Sequence, residues 1–290
     1  MKKIELKKII AAVMWGLLGY LVISCEQVVD LDLGEPSRKL VVEGRVEKAK
    51  NGSISEQVIK LSVVSDFFTN QVPPAAFGAD VWVEDRQGNR FEYTERVDGI
   101  YINNQLQGVI GEAYTLNIIW EGNTYQGTEV LEPVVPIDSI YQVEAEANLF
   151  EDGGIKLAIN FTDPVQEVNF YFWETFVEGE LRVLPDPGNK NNLIANDDFF
   201  DGQQVEGYFP NEELVVETGQ QVLVRQFGLA ENVYRYYFAL YDQAAKTGSI
   251  LDTPPAPVRG NIVNLDNPED FPLGYFYATE VAERSKVITE

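Results

Sequence analysis

The side chains able to do chemistry in this sequence are carboxylates and aromatics, because its 290 residues include no histidine and a single cysteine. Imidazole is the usual proton shuttle near neutral pH and the commonest metal ligand. Its absence excludes Ser-His-Asp chemistry, Cys-His chemistry and His-ligated zinc. Two carboxylates can still hydrolyse a glycoside. With 46 acidic residues, however, such pairs arise by chance, and no catalytic constellation is assigned. Asp197, Asp198 and Asp201, with Asn192 and Asn196, form the densest cluster of oxygen ligands. Calcium takes several hard oxygens, which such a loop could supply, although the spacing matches no EF-hand. The other reading is a solvated loop. Trp82 is the candidate ligand contact. In the alternating run Ala79 to Asp85 it shares a face with Asp80 and Glu84, opposite Val81 and Val83. An aromatic ring on a polar face can stack on a sugar or pack beneath a neighbouring loop. Trp120, by contrast, shares parity with Leu116 and Ile118 and reads as core.

The cysteine carries a different chemistry. Lys2, Lys3, Lys7 and Lys8 precede an apolar run from Ile9 to Ile23. A helix through that run would reach only about 22 Å, short of a hydrocarbon core of about 30 Å, so it reads as a secretion signal rather than a membrane span. The run ends Val22-Ile23-Ser24-Cys25, which resembles the lipobox of bacterial lipoproteins. There a small residue fits the peptidase subsite and the following thiol accepts the lipid. Residues 1–24 are therefore expected to be a signal peptide, Cys25 the lipidation site, and 25–36 an acidic tether. Two or more acyl chains give stable attachment to a membrane. A chain whose one thiol carries lipid has no disulfide, so packing must hold it together.

The remainder reads as strands. Leu40 to Val46, Val58 to Val64, Ala79 to Asp85, Phe91 to Tyr93, Asp98 to Tyr101, Tyr114 to Trp120 and Thr124 to Thr128 recur about every ten residues, with Gly/Asn turns between them. That spacing predicts an all-β fold, with an immunoglobulin-like or transthyretin-like β-sandwich over 37–132. Pro133 to Pro136 reads as a hinge into a second β-rich domain, 137–290. Its strands are expected at Ile140 to Ala145, Gly154 to Phe161, Asn169 to Glu178, Leu214 to Glu217, Gln221 to Gln226, and around Asn261 to Val263 and Tyr275 to Ala278. Between Asn232 and Lys246, Val233, Tyr237, Leu240, Tyr241 and Ala244 recur at helical spacing. They predict an amphipathic helix that docks its Tyr237/Leu240/Tyr241 face on a sheet.

The order of several motifs resembles a Bacteroidota lipoprotein family, the domain of unknown function 4249. They are Cys25, Leu40-Val41-Val42-Glu43-Gly44, Gly78-Ala79-Asp80-Val81-Trp82-Val83, Asp98-Gly99-Ile100-Tyr101, Pro136-Ile137-Asp138-Ser139-Ile140, Phe161-Thr162-Asp163-Pro164, the Tyr-rich helix, Gly260-Asn261-Ile262 and Leu273-Gly274-Tyr275-Phe276. The resemblance implies a cell-envelope lipoprotein working near TonB-dependent outer-membrane transporters, and it carries over no catalytic residues. Asp138-Ser139-Ile140 also fits the short pattern that such bacteria O-glycosylate, which makes Ser139 a candidate modification site.

A net charge of −24 argues against nucleic acid as a partner, since phosphate contacts need clustered Lys and Arg. It suits a self-repelling soluble surface, calcium, or electrostatic selection of a basic partner. The expectation is a non-enzymatic lipoprotein anchored to the outer membrane, on its periplasmic or exposed face. It would act by binding, as accessory or partner to a transporter. A surface glycan-binding lipoprotein is the alternative, and a carboxylate-based hydrolase the remote one. No cofactor is expected, and calcium is the one candidate.

Overall fold

Alternation of apolar and polar residues is strictest in the first hundred residues of the folded body, and there the strands close on themselves. The computed structural model describes residues 38–52, 54, 56–64, 72–146, 153–182, 193–244 and 256–290. The expected signal peptide, Cys25, the acidic tether and the end of the predicted helix at Lys246 lie outside them. Among the described residues the structure is mainly strand, with one α-helix of more than a single turn, α1 (Glu231–Ala244).

Seven strands come from the first half: β1 (Leu40–Ala49), β2 (Gln57–Val63), β3 (Asp80–Asp85), β4 (Arg90–Val97), β5 (Ile100–Asn103), β6 (Ala113–Trp120) and β7 (Asn123–Glu132). They pair in the order β1-β2-β5-β4-β3-β6-β7. The turn from β6 to β7 is two residues, Glu121 and Gly122, both with positive φ (47° and 79°). That is the backbone twist a tight hairpin requires. The eighth strand comes from the far end of the chain. The fifteen-residue β16 (Leu273–Val287) runs parallel to β1 from Val41↔Leu273 to Ala49↔Val281 and touches β7 at Ala278↔Leu131 and Thr279↔Glu132. The pairing over 40–132 thus runs around an eight-stranded, barrel-like ring instead of stopping at the two facing sheets expected from the sequence. Alternation is the same in both architectures, and only the distal strand separates them. The ring is filled, with Val42, Val46, Ile59, Tyr101, Leu116, Ile118, Leu131 and Phe276 buried inside it.

Beyond Val281, β16 leaves β1 and pairs antiparallel with β14 (Gln221–Gly228), which pairs in turn with β10 (Phe170–Val177). The short β11 (Glu180–Leu181) and β12 (Ile194–Asn196) both pair with β10. A separate three-stranded sheet contains β8 (Ile137–Ala145), β9 (Gly154–Thr162) and β13 (Gln204–Tyr208), and β15 (Val263–Asn264) edges β7. Successive residues of β10 and β14 therefore face different layers. Tyr171, Trp173 and Val224 pack with Phe161 and Ile159 of the small sheet. Phe172 and Phe227 pack with Val233, Tyr237 and Tyr241 of α1.

Four further sequence expectations change. Leu214 to Glu217 is not a strand, and only Val216 makes a bridge, to Ile155. The Pro133 to Pro136 connector is packed, since Val134 is buried and its N–H donates to Glu280. The structural helix begins at Glu231. Its docked face is the buried Val233 with the partly buried Tyr237 and Tyr241, whereas Leu240 is 38% exposed at the edge of a groove.

Candidate functional site

Strand register decides what stands outside the ring. β1 sends Val42 and Val46 inward, so Glu43, Arg45 and Glu47 point outward. The parallel pairing sets Glu43 beside Tyr275 and Arg45 beside Tyr277. Further along the same face, Arg225 of β14 lies between Glu283 of β16 and Glu174 of β10. Gly274 permits the close approach of β16 to β1. It has φ +88°, and a Cβ there would fall 1.9 Å from the Val42 carbonyl oxygen. Helix α1 covers part of this face with Tyr236, Tyr237 and Tyr241. Between the helix and the outer side of β1 and β2 runs a groove of about 730 Å³, with Tyr236 and Leu240 on one side and Ile54 and Val58 on the other.

The floor is an ion-pair lattice. Arg45 meets Glu174 through both terminal nitrogens, at 2.7 and 3.2 Å, and donates to Glu47 through Nε. Arg225 reaches Glu47 at 2.6 Å, Glu283 at 2.8 Å and Glu174 at 3.3 Å. Each inner carboxylate is therefore bracketed by two guanidiniums. Side-chain exposures of 13% for Arg225, 12% for Glu47 and 10% for Glu174 place the lattice largely out of water. Burial by itself would raise the Glu47 carboxyl, but the Arg45 and Arg225 charges outweigh it and hold Glu47 below the usual carboxylate range. Both guanidiniums lie over the Phe227 ring, at 4.9 and 5.0 Å. The Tyr237 ring is stacked on Phe172 at 5.2 Å, and the Tyr277 hydroxyl accepts from Arg45. Burial raises the phenols of Tyr237 and Tyr277, so both stay neutral hydroxyls. Glu47 is thus no source of protons at neutral pH. The groove presents ion-paired side chains with acidic groups in excess, neutral phenols and apolar walls, which suits holding a ligand.

The residues singled out from sequence are scattered. Asp197 and Asp201 do converge, but their third partner is Asp163, and the three offer carboxylate oxygens within 4.8 Å of one another. Asp198 instead accepts from Asn196 and lines a separate depression of about 520 Å³ with Phe170, Tyr234 and Phe238. Asp163 accepts from the Tyr171 hydroxyl and the Gly202 N–H, Asp197 from the Asn169 N–H, and Asp201 from the Gln166 N–H. The cluster is therefore served by internal donors. Burial raises Asp163, with the Asp197 and Asp201 charges adding to that and the two hydrogen bonds opposing it. Trp82 is half-buried, its N–H donated to Glu84 and its ring covered by the Arg90 guanidinium at 3.9 Å. Ser139 sits half-buried on β8 opposite Asn160. Cys25 lies outside the described residues.

Sequence reasoning missed Arg45, Glu47, Glu174, Arg225 and Tyr277. Glu174 and Arg225 carried a usable signal. Each is a lone charge in an otherwise apolar or aromatic strand, Phe170-Tyr171-Phe172-Trp173-Glu174 and Val222-Leu223-Val224-Arg225. A charge so placed calls for a buried partner. Glu43, Arg45 and Glu47 gave none, because alternating charges on a strand read as its wet face.

A family model described as domain of unknown function (DUF4249) matches residues 26–285 of the chain. The sequence matches no curated protein. Among solved structures, it is similar to the adhesin InvE of Yersinia pseudotuberculosis at 17% identity and a TM-score of 0.20. That match covers 67% of this chain and 58% of the adhesin's, and so extends over less than two thirds of it.

Proposed function

The chain belongs to the DUF4249 family, and on that premise we propose that it is a non-enzymatic lipoprotein of the cell envelope. It acts by binding, as accessory or partner to an outer-membrane TonB-dependent transporter, and is held at the membrane through Cys25. The observation that carries the binding role is the groove beside α1. Its floor carboxylates Glu47 and Glu174, and Glu283 nearer the mouth, are each engaged by arginine, and Glu47 is held ionised at neutral pH. A general acid for acyl or glycosyl transfer needs a proton at working pH, and the two arginines oppose one on Glu47. A net charge of −24 supports encounter with a basic partner and an association rate that falls with salt.

The test is twofold. The purified protein should turn over no ester, peptide or glycoside substrate, and crosslinking in cells should recover an outer-membrane β-barrel with it. Turnover abolished by replacing one floor carboxylate would move the assignment to a hydrolase. Polysaccharide binding without any protein adduct would move it to the glycan-binding alternative. That second reading gains little from Trp82, whose ring is already occupied by Arg90.

A further inference from the structure

We propose that the groove beside α1 seats a Lys or Arg side chain carried on an extended, basic segment of the protein partner. This rests on the reading of the groove as a binding site and adds the chemistry of what enters it. Five carboxylates line the groove against three basic groups, and the two sets are not placed alike. The guanidiniums of Arg45 and Arg225 lie at the floor, already surrounded by Glu47, Glu174 and Glu283. An incoming carboxylate or phosphate would have to displace one of these, which leaves a mostly buried charge without its partner. The accessible charge is acidic. Glu43 and Glu283 have side chains 58% and 47% exposed at the mouth, where Lys60 engages Glu43 and Arg225 engages Glu283 through one carboxylate oxygen each.

The walls select for shape. Leu240 and Val58 are 38% and 39% exposed on opposite sides of the opening. Tyr236 stands beside Leu240, and burial pushes its phenol up to about 12, so its ring is uncharged at working pH. Apolar walls below an acidic mouth fit a side chain with an aliphatic stem and a cationic head, and a neutral tyrosine face adds attraction for that head. A groove of about 730 Å³ admits one such side chain and a short length of backbone.

The test uses the full-length protein in detergent and three blocked probes: an Arg/Lys pentapeptide, a Glu pentapeptide and a neutral oligosaccharide. Affinities are read by titration calorimetry at low and physiological salt. The basic peptide should bind and the other two should not. The double variant Glu43→Gln/Glu283→Gln should weaken binding roughly five- to tenfold, as expected for two exposed charges. Leu240→Lys, which puts a cation at the mouth on an already exposed position, should weaken it at least as much. Cooperative melting curves confirm that both variants fold. Basic-peptide binding unchanged in both variants would show attraction to the acidic surface at large and overturn the proposal. So would preferential binding of the acidic peptide or the sugar. Peptide binding that behaves as expected, with no transporter recovered from cells, would refute the partner and leave the groove's ligand chemistry standing. A transporter adduct with no peptide binding would do the reverse.

Discussion

Replacing Arg225 by Met tests whether the lattice is an electrostatic unit rather than a row of surface pairs. The substitution keeps an unbranched apolar stem but removes the contacts to Glu47 at 2.6 Å, Glu283 at 2.8 Å and Glu174 at 3.3 Å. Breaking a buried pair costs about 3–5 kcal/mol when a charge is left unpaired. Glu47 and Glu174 keep Arg45 here, so the lower end, about 3 kcal/mol, is expected. For a domain of this size that corresponds to a fall of roughly 6–12 °C in melting temperature. Lys60→Ala is the contrast, since its pair with Glu43 joins side chains 50% and 58% exposed. It should cost less than about 1 kcal/mol. The pH dependence sharpens the test. Glu47 titrates below its ordinary value in the native protein, so it contributes stability that is present above its unfolded pKa and lost as pH falls through the lowered native one. Without Arg225 the burial that raises Glu47 is less opposed, and that contribution shrinks or reverses. The deficit of the variant against wild type should therefore be largest near neutral pH and narrow in acid. Denaturant unfolding from pH 7 down to pH 3 measures it. A deficit below about 1 kcal/mol, or one constant across that range, would refute the reasoning.

Other outcomes follow from the same structure. Tyr237→Ala removes a ring stacked on Phe172 and should cost about 3–5 kcal/mol in chemical denaturation, whereas Leu240→Ala, at a site 38% exposed, should cost about 1 kcal/mol or less. Similar losses for the two would mean that the helix face is assigned wrongly. Chelation of divalent cations should leave the melting temperature unchanged, because Asp163, Asp197 and Asp201 all accept internal donors. A drop of several degrees, restored by calcium, would make that cluster an ion site. Cys25→Ser should release the protein from membranes and abolish labelling by fatty acid, and a variant that still pelleted and still labelled would contradict the lipid anchor.

Strand positions were readable wherever one face met a core and the other met water. The run 79–85 became β3, 114–120 became β6, and the helix expected at 232–246 begins one residue earlier. Topology was less readable. Only Tyr275 to Ala278 stood out from the last strand, yet its fifteen residues complete the ring and then continue into a second pairing with β14. Parallel contact between residues 41 and 273 leaves no trace in local alternation. The site was hidden for a related reason. Glu43, Arg45 and Glu47 look like a solvated face until α1, encoded almost two hundred residues later, is laid beside them. Leu240 has the spacing of a core residue, yet it stands 38% exposed in a groove that it lines together with the charged Arg45, Glu47 and Glu174. In the acidic loop, sequence proximity pointed to Asp198, whereas chain folding brought in Asp163 from the end of β9.

The central claim is that this protein works by binding through the groove beside α1. It is tested most directly by placing a photo-crosslinking amino acid at Leu240 in cells and identifying the adduct. The account predicts a covalent product with an outer-membrane β-barrel transporter, joined at a Lys- or Arg-bearing segment, and no such product when the same amino acid replaces Val97, which is 58% exposed and does not line the groove. Equal adducts from both positions, or none from Leu240, would contradict it.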